Sequence, residues 1–467
     1  MSPNINSDTI TILDDDLRRI EFAYVLNIRN GNWSITDHNG FSHLPSQTRL
    51  GDSLEVQRYG YETVTFSYNG GVNIIILNTS PLVLETVSVS ISEIMEATEI
   101  VKTAGLENIS HKEHLGLLPG VQIKTFGGPG SISTVSINGG AASQTKVTLN
   151  GFDLSNMQTG VTDLSQLPSA YINHARIINS GFKLISSGSQ NGLLELYTWE
   201  PNNTFSFSRE SFNSTSAYVK LFLQSKLINT SIIMGDRYNE GNFNVSWKDE
   251  EFRRQNNYLN QSYGSIQFDG RLNNNLFFKS LTLLTKQKRG VPGQVWSPSN
   301  ASHNDNLLIH AASMSWISNS GKNELKFMYR TSNDTYEDPL YSLVSSNNLD
   351  RWSLDLSKPL SKTRNSLLDL FISAQRHVLY SNQKKYNKDI YTSNINYLYR
   401  TNFNLSIKPS IQTNYSPDFF DKNTYSLLFV YDFKSNFLEK LSLSLSSHFR
   451  HPTFNDLYWQ PGGNPRL

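Results

Sequence analysis

The sequence predicts a mainly β protein in three parts: a small β-sandwich, a mixed α+β region, and an antiparallel β-barrel of the membrane-spanning kind. Three observations lead there. Apolar and polar residues alternate with period two in segment after segment from about residue 201 onward. No run of about 18 apolar residues exists, so no transmembrane helix is available. Charged residues make up 17% and aromatics 12%, whereas soluble domains carry about 25% charge.

Residues 1–80 read as short strands at Thr9–Leu13, Phe22–Ile28, Ser53–Arg58, Glu62–Phe66 and Val72–Leu77. Turn-prone residues part them, notably Asp37-His38-Asn39-Gly40, and a small sandwich is the natural product. Asp37 and Asn39 lack the closing Glu of a calcium loop, so a plain turn is expected. The stretch Ser34 to Phe41, followed by Arg58-Tyr59-Gly60-Tyr61, resembles the carboxypeptidase regulatory-like domain. That resemblance implies a turn shaped by Asp and Gly with the aromatic packed beneath it.

Residues 81–93 form a linker that alternates like a strand, with Val87, Val89 and Ile91 on one side and Ser88, Ser90 and Ser92 on the other. Such a segment either adds to the edge of a partner's sheet or returns to the sandwich. Over 94–200, helices are expected around Ser92–Thr103 and Ser110–Leu117. Glycine-rich turns then separate brief strands at Val135–Ile137 and Val147–Leu149. No long helix follows these glycines, so they do not form a phosphate-binding loop.

From residue 201 the texture is uniform. Phe205 and Phe207 alternate with Ser206 and Ser208; Leu441, Leu443 and Leu445 alternate with Ser442, Ser444 and Ser446. Comparable segments are Leu221–Leu223, Leu276–Leu284, Leu368–Ile372, Leu405–Ile411 and Leu427–Phe433. Polar stretches such as Asn300–Asn306 and Ser345–Asn348 are expected as loops. Tyr218, Trp247, Tyr258, Trp316 and Trp352 near strand ends suit interfacial aromatic girdles.

Composition narrows the chemistry. There is no cysteine, which excludes disulfides, thiolate metal sites and cysteine nucleophiles. A net charge of +1 gives no reason to expect nucleic acid. The ten histidines contain no His-Glu-x-x-His, and His111 with His114 has no identifiable third ligand, so neither an enzyme, a metal centre nor a cofactor is expected. Asn-x-Ser/Thr triplets, as at Asn229, Asn244 and Asn300, read as compositional bias.

Residues 94–200 resemble the plug domain of TonB-dependent receptors. The resemblance rests on Leu118-Pro119-Gly120-Val121, Val135 to Gly139 with Asn138-Gly139, Lys146 to Gly151 with Asn150-Gly151, Asp163 to Pro168, and Ile172 to Gly181. Two later motifs support it. One is Lys288-Arg289-Gly290-Val291-Pro292-Gly293. The other runs from Phe449 to Trp459, with Arg450, Pro452, Asn455, Asp456, Tyr458 and Trp459, and looks like the cobalamin and siderophore receptor branch. The resemblance implies a plug inside an outer-membrane barrel, with the N-terminal domain in the periplasm. It also implies a small-molecule solute, and an inner-membrane TonB-type partner that grips a segment called the TonB box. Glu85-Thr86-Val87-Ser88-Val89-Ser90 occupies the place of that box.

The sequence departs from the family at charged positions. Asn138 stands where Arg is usual, Asn150 where Asp is usual, and Arg176 where an acid is common. Residues 201–467 hold roughly 14 strands, whereas a plugged family barrel has about 22. The start also lacks the basic and apolar regions of a signal peptide. The chain is therefore expected to be a fragment or the product of a decaying gene, unable as given to insert as a working transporter. A non-transporting binding or adhesive β-protein is the alternative, but it leaves the plug motifs unexplained.

Overall fold

A computed structural model describes residues 9–58, 61–71, 73–79, 100–102, 115–178, 190–198, 201–248, 250–417, 419–433, 440–459 and 462–466. The chain divides into two units, Met1–Val89 and Ser90–Leu467.

In the first unit, Thr9–Asp14 pairs antiparallel with Phe41–His43 and parallel with Asn73–Leu77. A second sheet runs Trp33–Ile35, Tyr24–Asn27, Ser53–Gln57, Val64–Ser67. Alternation decides the faces: Ile10, Ile12, Val25, Leu54, Val56 and Leu77 meet in one core, while their sequence neighbours face out. Trp33–Ile35 and Phe41–His43 are absent from the sequence reading, because three residues are too few to show a period. Between them lies the expected turn. Asp37 Oδ1 accepts the N–H groups of Asn39 and Phe41 at 2.8 and 3.0 Å. The bond from Phe41 foremost holds the Asp37 carboxyl below its ordinary range. Phe41 is 40% exposed, with the Arg19 guanidinium 4.7 Å over its ring, rather than packed beneath the turn.

The second unit contains an inner domain and a long sheet. Among the described residues the inner domain is a five-stranded sheet ordered Phe152–Asp153, Thr145–Leu149, Gly192–Tyr197, His174–Ile178, Ile100–Lys102. A ribbon of Val121–Thr125 and Ser133–Ile137 accompanies it. Thr145–Leu149 and Gly192–Tyr197 run parallel and are buried on both faces over nearly their whole length, as parallel strands usually are. The helix expected over Ser92–Thr103 is corrected at Ile100–Lys102, which is a strand paired with His174–Arg176. Two adjacent β-branched residues, Ile100 and Val101, suit a pleated edge better than a helix. Of the second expected helix, Leu115 is described as helical. The linker 81–93, His111, His114 and Gly181 lie outside the described residues.

Among the described residues the large sheet has thirteen strands, from Thr204–Glu210 to Lys440–Ser446, close to the 14 expected. Each pairs antiparallel with its neighbour in sequence, and one hairpin, Phe243–Trp247 with Glu250–Arg254, stands outside the series. The first and last strands do not pair with each other among the described residues. Two expected loops are strand instead: Asn300–Asn306 falls inside Ser297–Ser318, and Ser345–Asn348 inside Leu343–Lys362. Ladder hydrogen bonds, not apolar periodicity, carry those extensions, so their polar residues gave no strand signal.

Sidedness follows the alternation. Along Lys384–Arg400, Tyr391, Ile395, Tyr397 and Tyr399 face out, while Lys388, Thr392 and Asn394 are buried on the inner side. Phe205, Phe207, Leu441, Leu443 and Leu445 are likewise exposed. Tyr391 and Tyr399 are separated by about 26 Å of strand, which at the usual tilt of about 35–45° spans about 20 Å, somewhat less than the apolar band of outer-membrane barrels, about 25 Å. Trp352 lies on this outer face, but Tyr218 is only 3% exposed and packs inward. Gly235 makes room for it, since a Cβ there would strike both Tyr218 and Tyr263. Trp247 belongs to the separate hairpin and stacks on Trp296.

The inner domain packs against the inward face of this sheet. Leu149, Leu164 and Tyr171 form one core with the inward residues Ile233, Leu283 and Met328. Ile178 and Leu193 form another with Leu367, Leu398 and Val430.

Candidate functional site

The seam between inner domain and sheet contains directed polar contacts. Its centre is a carboxylate. Thr145–Leu149 and Phe152–Asp153 are joined by Asn150-Gly151, both in the left-handed region at φ +51° and +80°. That tight reversal brings Asp153 back beside Lys146. Asp153 Oδ2 lies 3.0 Å from Lys146 Nζ and 3.0 Å from Arg351 Nη2 of the sheet. Its other oxygen accepts the Ser155 N–H at 2.9 Å. Arg351 Nη1 donates to the Asp153 carbonyl at 3.0 Å, and Arg330 Nη1 to that of Leu154 at 2.5 Å. Burial alone would raise the Asp153 pKa, but the cations Lys146 and Arg351 outweigh it and hold the carboxyl well below the usual range.

Further along, Gln287 donates to the Gly130 carbonyl at 2.7 Å and Gln261 to that of Ser165 at 3.0 Å. The Tyr171 hydroxyl reaches the carbonyls of Gly264 and Leu284 at 2.8 and 3.0 Å. Asn150 itself belongs to a relay. Its amide donates to Thr198 Oγ1 at 2.8 Å, and that hydroxyl lies 2.5 Å from Gln267 Oε1 on the sheet.

The Phe449–Trp459 motif closes another part of the seam. Thr453 caps the short helix Phe454–Tyr458: its Oγ1 accepts the Asp456 N–H, and its own N–H donates back to the Asp456 carboxylate. The backbone N–H groups of Phe454 and Asn455 donate to the carbonyls of Met157 and Gln158 on the inner domain, at 2.9 and 3.0 Å. Arg450 pairs with Asp456 at 3.1 Å, the Lys388 ammonium donates to the Pro452 carbonyl, and Tyr458 stacks on Tyr386. Trp459 is 64% exposed. A cleft opens here, lined by Lys146, Asp153, Thr392, Arg450 and His451 among others.

The remaining motif residues shape turns. Gly120 has φ +74°, and its carbonyl accepts the Asn138 N–H at 2.8 Å. Pro119 and Val121 flank it, leading from the turn into Val121–Thr125. Asn138 and Gly139, at φ +52° and +74°, end Ser133–Ile137. Gly290 pairs with Ser302 just ahead of a bulge between Val291 and Gly293, and the bulge leaves Pro292 unpaired, where a proline's missing N–H is tolerated. Arg176 pairs with buried Glu195 on the adjacent strand at 2.7 Å. One further cluster, His303, Asp305 and Asp334, has metal-ligand proximity among the described residues. His303 Nδ1 lies 3.0 Å from Asp305 and Nε2 3.2 Å from Asp334, with Arg289 beside them, so the ring already bridges the two carboxylates as an ion-pair network.

The profile of the TonB-dependent receptor plug domain matches residues 85–193. The chain carries the plug domain, and the fold, of TonB-dependent receptors. A variant of the ferric enterobactin receptor PfeA from Pseudomonas aeruginosa superposes with a TM-score of 0.62 at 10% identity, over 78% of this chain and 64% of that one. The siderophore receptor PirA from Acinetobacter baumannii gives 0.58 at 11%, over 76% and 61%. The copper transporter OprC gives 0.62 at 10%, over 77% and 66%. The chain thus spans less than two thirds of each. At these identities the likeness is one of fold. No curated protein matches the sequence. The plug profile begins at Glu85, so it takes in the box-like segment ahead of the plug's described strands.

Sequence reasoning singled out the plug turns and the Arg450–Trp459 motif. It missed the Lys146–Asp153–Arg351 clasp, Arg330 and Lys388. Asp153 and Arg351 are 198 residues apart, and nothing local marks them as partners.

Proposed function

We propose that this chain is, or is part of, an outer-membrane TonB-dependent receptor that takes up a scarce small-molecule solute. In this reading the solute is cobalamin, a siderophore or a similar metal chelate. Residues 1–80 are a carboxypeptidase regulatory-like domain in the periplasm, 81–93 a linker with the box, 94–200 the plug and 201–467 the barrel wall in lipid. The observation that carries the reading is the seam. The plug is held by discrete hydrogen bonds and ion pairs around Asp153, Gln261 and Gln287 as well as by apolar packing, so it is a part that can shift and reseat. An inner-membrane TonB-type protein supplies the pull by pairing with Glu85–Ser90 as an added strand, where backbone hydrogen bonds carry force.

The test follows from that pairing. Val87→Pro removes a backbone donor from the box. In cells expressing the receptor from its own locus, energised uptake should stop while solute binding to the cell surface stays unchanged. Unimpaired uptake rejects the box assignment, and loss of binding rejects the division of labour between box and plug.

A further inference from the structure

Lys146 belongs to two arrangements at once. Its ammonium touches Asp153 Oδ2 in the clasp, and it also lines the cleft with Arg450 and His451. This region is rich in positive charge. Among the described residues Lys146, Arg330, Arg351, Lys388 and Arg450 gather here, with Asp153, Asp163, Asp355 and Asp456 as carboxylates near them. His451 is 2% exposed, and neither of its ring nitrogens has a hydrogen-bond partner. A buried imidazole left unbonded is destabilising. Burial, with Lys388 and Lys146 beside it, lowers its pKa to about 3, so the ring is neutral and one nitrogen carries a donor proton.

The ligand class follows from these groups. A cation is repelled by the local excess of positive charge, and an apolar group leaves His451 unbonded. An oxygen-rich anion satisfies the imidazole N–H and draws on Lys146 and Arg450 together. We propose that the cleft is an oxyanion subsite, for a carboxylate or phosphate, whose occupant competes with Asp153 for the Lys146 ammonium. The proposal rests on the receptor reading and adds a link between solute and plug. When Lys146 turns to the ligand, Asp153 keeps Arg351 and the Ser155 N–H, so the clasp loosens without breaking. Linkage requires the converse as well: a weakened clasp binds the anion more tightly.

The full chain, folded in detergent, is titrated by calorimetry with citrate and, separately, inorganic phosphate. Saturable binding of at least one is expected. Binding should weaken about tenfold in His451→Leu, the size of one hydrogen bond to a charged group, and also weaken in Arg450→Gln. Asp153→Asn should bind several-fold more tightly, the opposite of what a merely structural role predicts. Each protein is first shown to have wild-type strand content by circular dichroism, and the His451 and Arg450 variants test the subsite independently. No saturable binding of either probe to the wild type, or unchanged affinity in both cleft variants, overturns the subsite. Equal or weaker binding by Asp153→Asn overturns the competition. Failure here alongside normal uptake and a normal Val87→Pro result rejects the subsite and leaves the receptor reading standing.

Discussion

At Asn150 a single neutral residue performs two tasks. Its backbone sits at φ +51°, where a side chain other than a short polar one is strained by about 1–2 kcal/mol. Its amide accepts the Thr198 N–H at 3.1 Å and donates to the Thr198 hydroxyl, which reaches Gln267 on the barrel. The departure from a family acid therefore does not sever plug from barrel here; a chain of neutral hydrogen bonds spans the same gap. Asn138 is the parallel case at the preceding turn, again left-handed and again followed by glycine. Asn150→Ala should lower stability by about 2 kcal/mol, combining backbone strain with lost hydrogen bonds. Asn150→Gly should cost less, because glycine is at ease in that conformation. Urea unfolding of the detergent-folded chain checks the order, and an Asn150→Gly variant less stable than Asn150→Ala rejects the turn argument.

At the level of the strand, one face is exposed and the other meets the plug, and a one-position difference changes the chemistry. Ile395 faces out midway between Tyr391 and Tyr399, while Asn394 beside it is fully buried on the inner side. Ile395→Arg should cost about 2–4 kcal/mol of folding into vesicles, the penalty for a cation near the midplane of an outer-membrane barrel. Folding yield, read from protease protection in phospholipid vesicles, measures it; an unchanged yield would mean this face does not meet hydrocarbon. Strands of this kind were legible from sequence wherever apolar residues mark one face, as at Leu441, Leu443 and Leu445. They were illegible where both faces are polar, as at Asn300–Asn306, because ladder pairing there is blind to side-chain polarity. Tyr218 was misassigned for a related reason: period two shows that it alternates, not which side holds the plug. In the site, glycines announced the turns at 120, 139 and 151. The clasp was hidden because Lys146, Asp153 and Arg351 acquire meaning only when strands distant in sequence become neighbours.

The whole second unit depends on seating one domain within another. Arg351 is almost fully buried and bonds Asp153 through both side chain and backbone. Arg351→Met should strand part of that carboxylate's charge and weaken seating by about 3–5 kcal/mol, the usual effect of removing one partner from a buried pair. Amide exchange should then accelerate over residues 145–155 and stay unchanged in Leu259–Asn273 and Leu276–Gln294; equal acceleration in all three would mean general destabilisation rather than unseating. The plain up-and-down order of the thirteen strands has a consequence for how the molecule is made. Every strand's partners lie next to it in the series, so hairpins can zip one after another with little loop-closure entropy at each step. The plug is different: Thr145–Leu149 must find Gly192–Tyr197 in parallel, and its clasp must wait for Arg351 to be made. During synthesis the plug thus emerges before the groups that hold it, and its final contacts belong to the late stages of assembly.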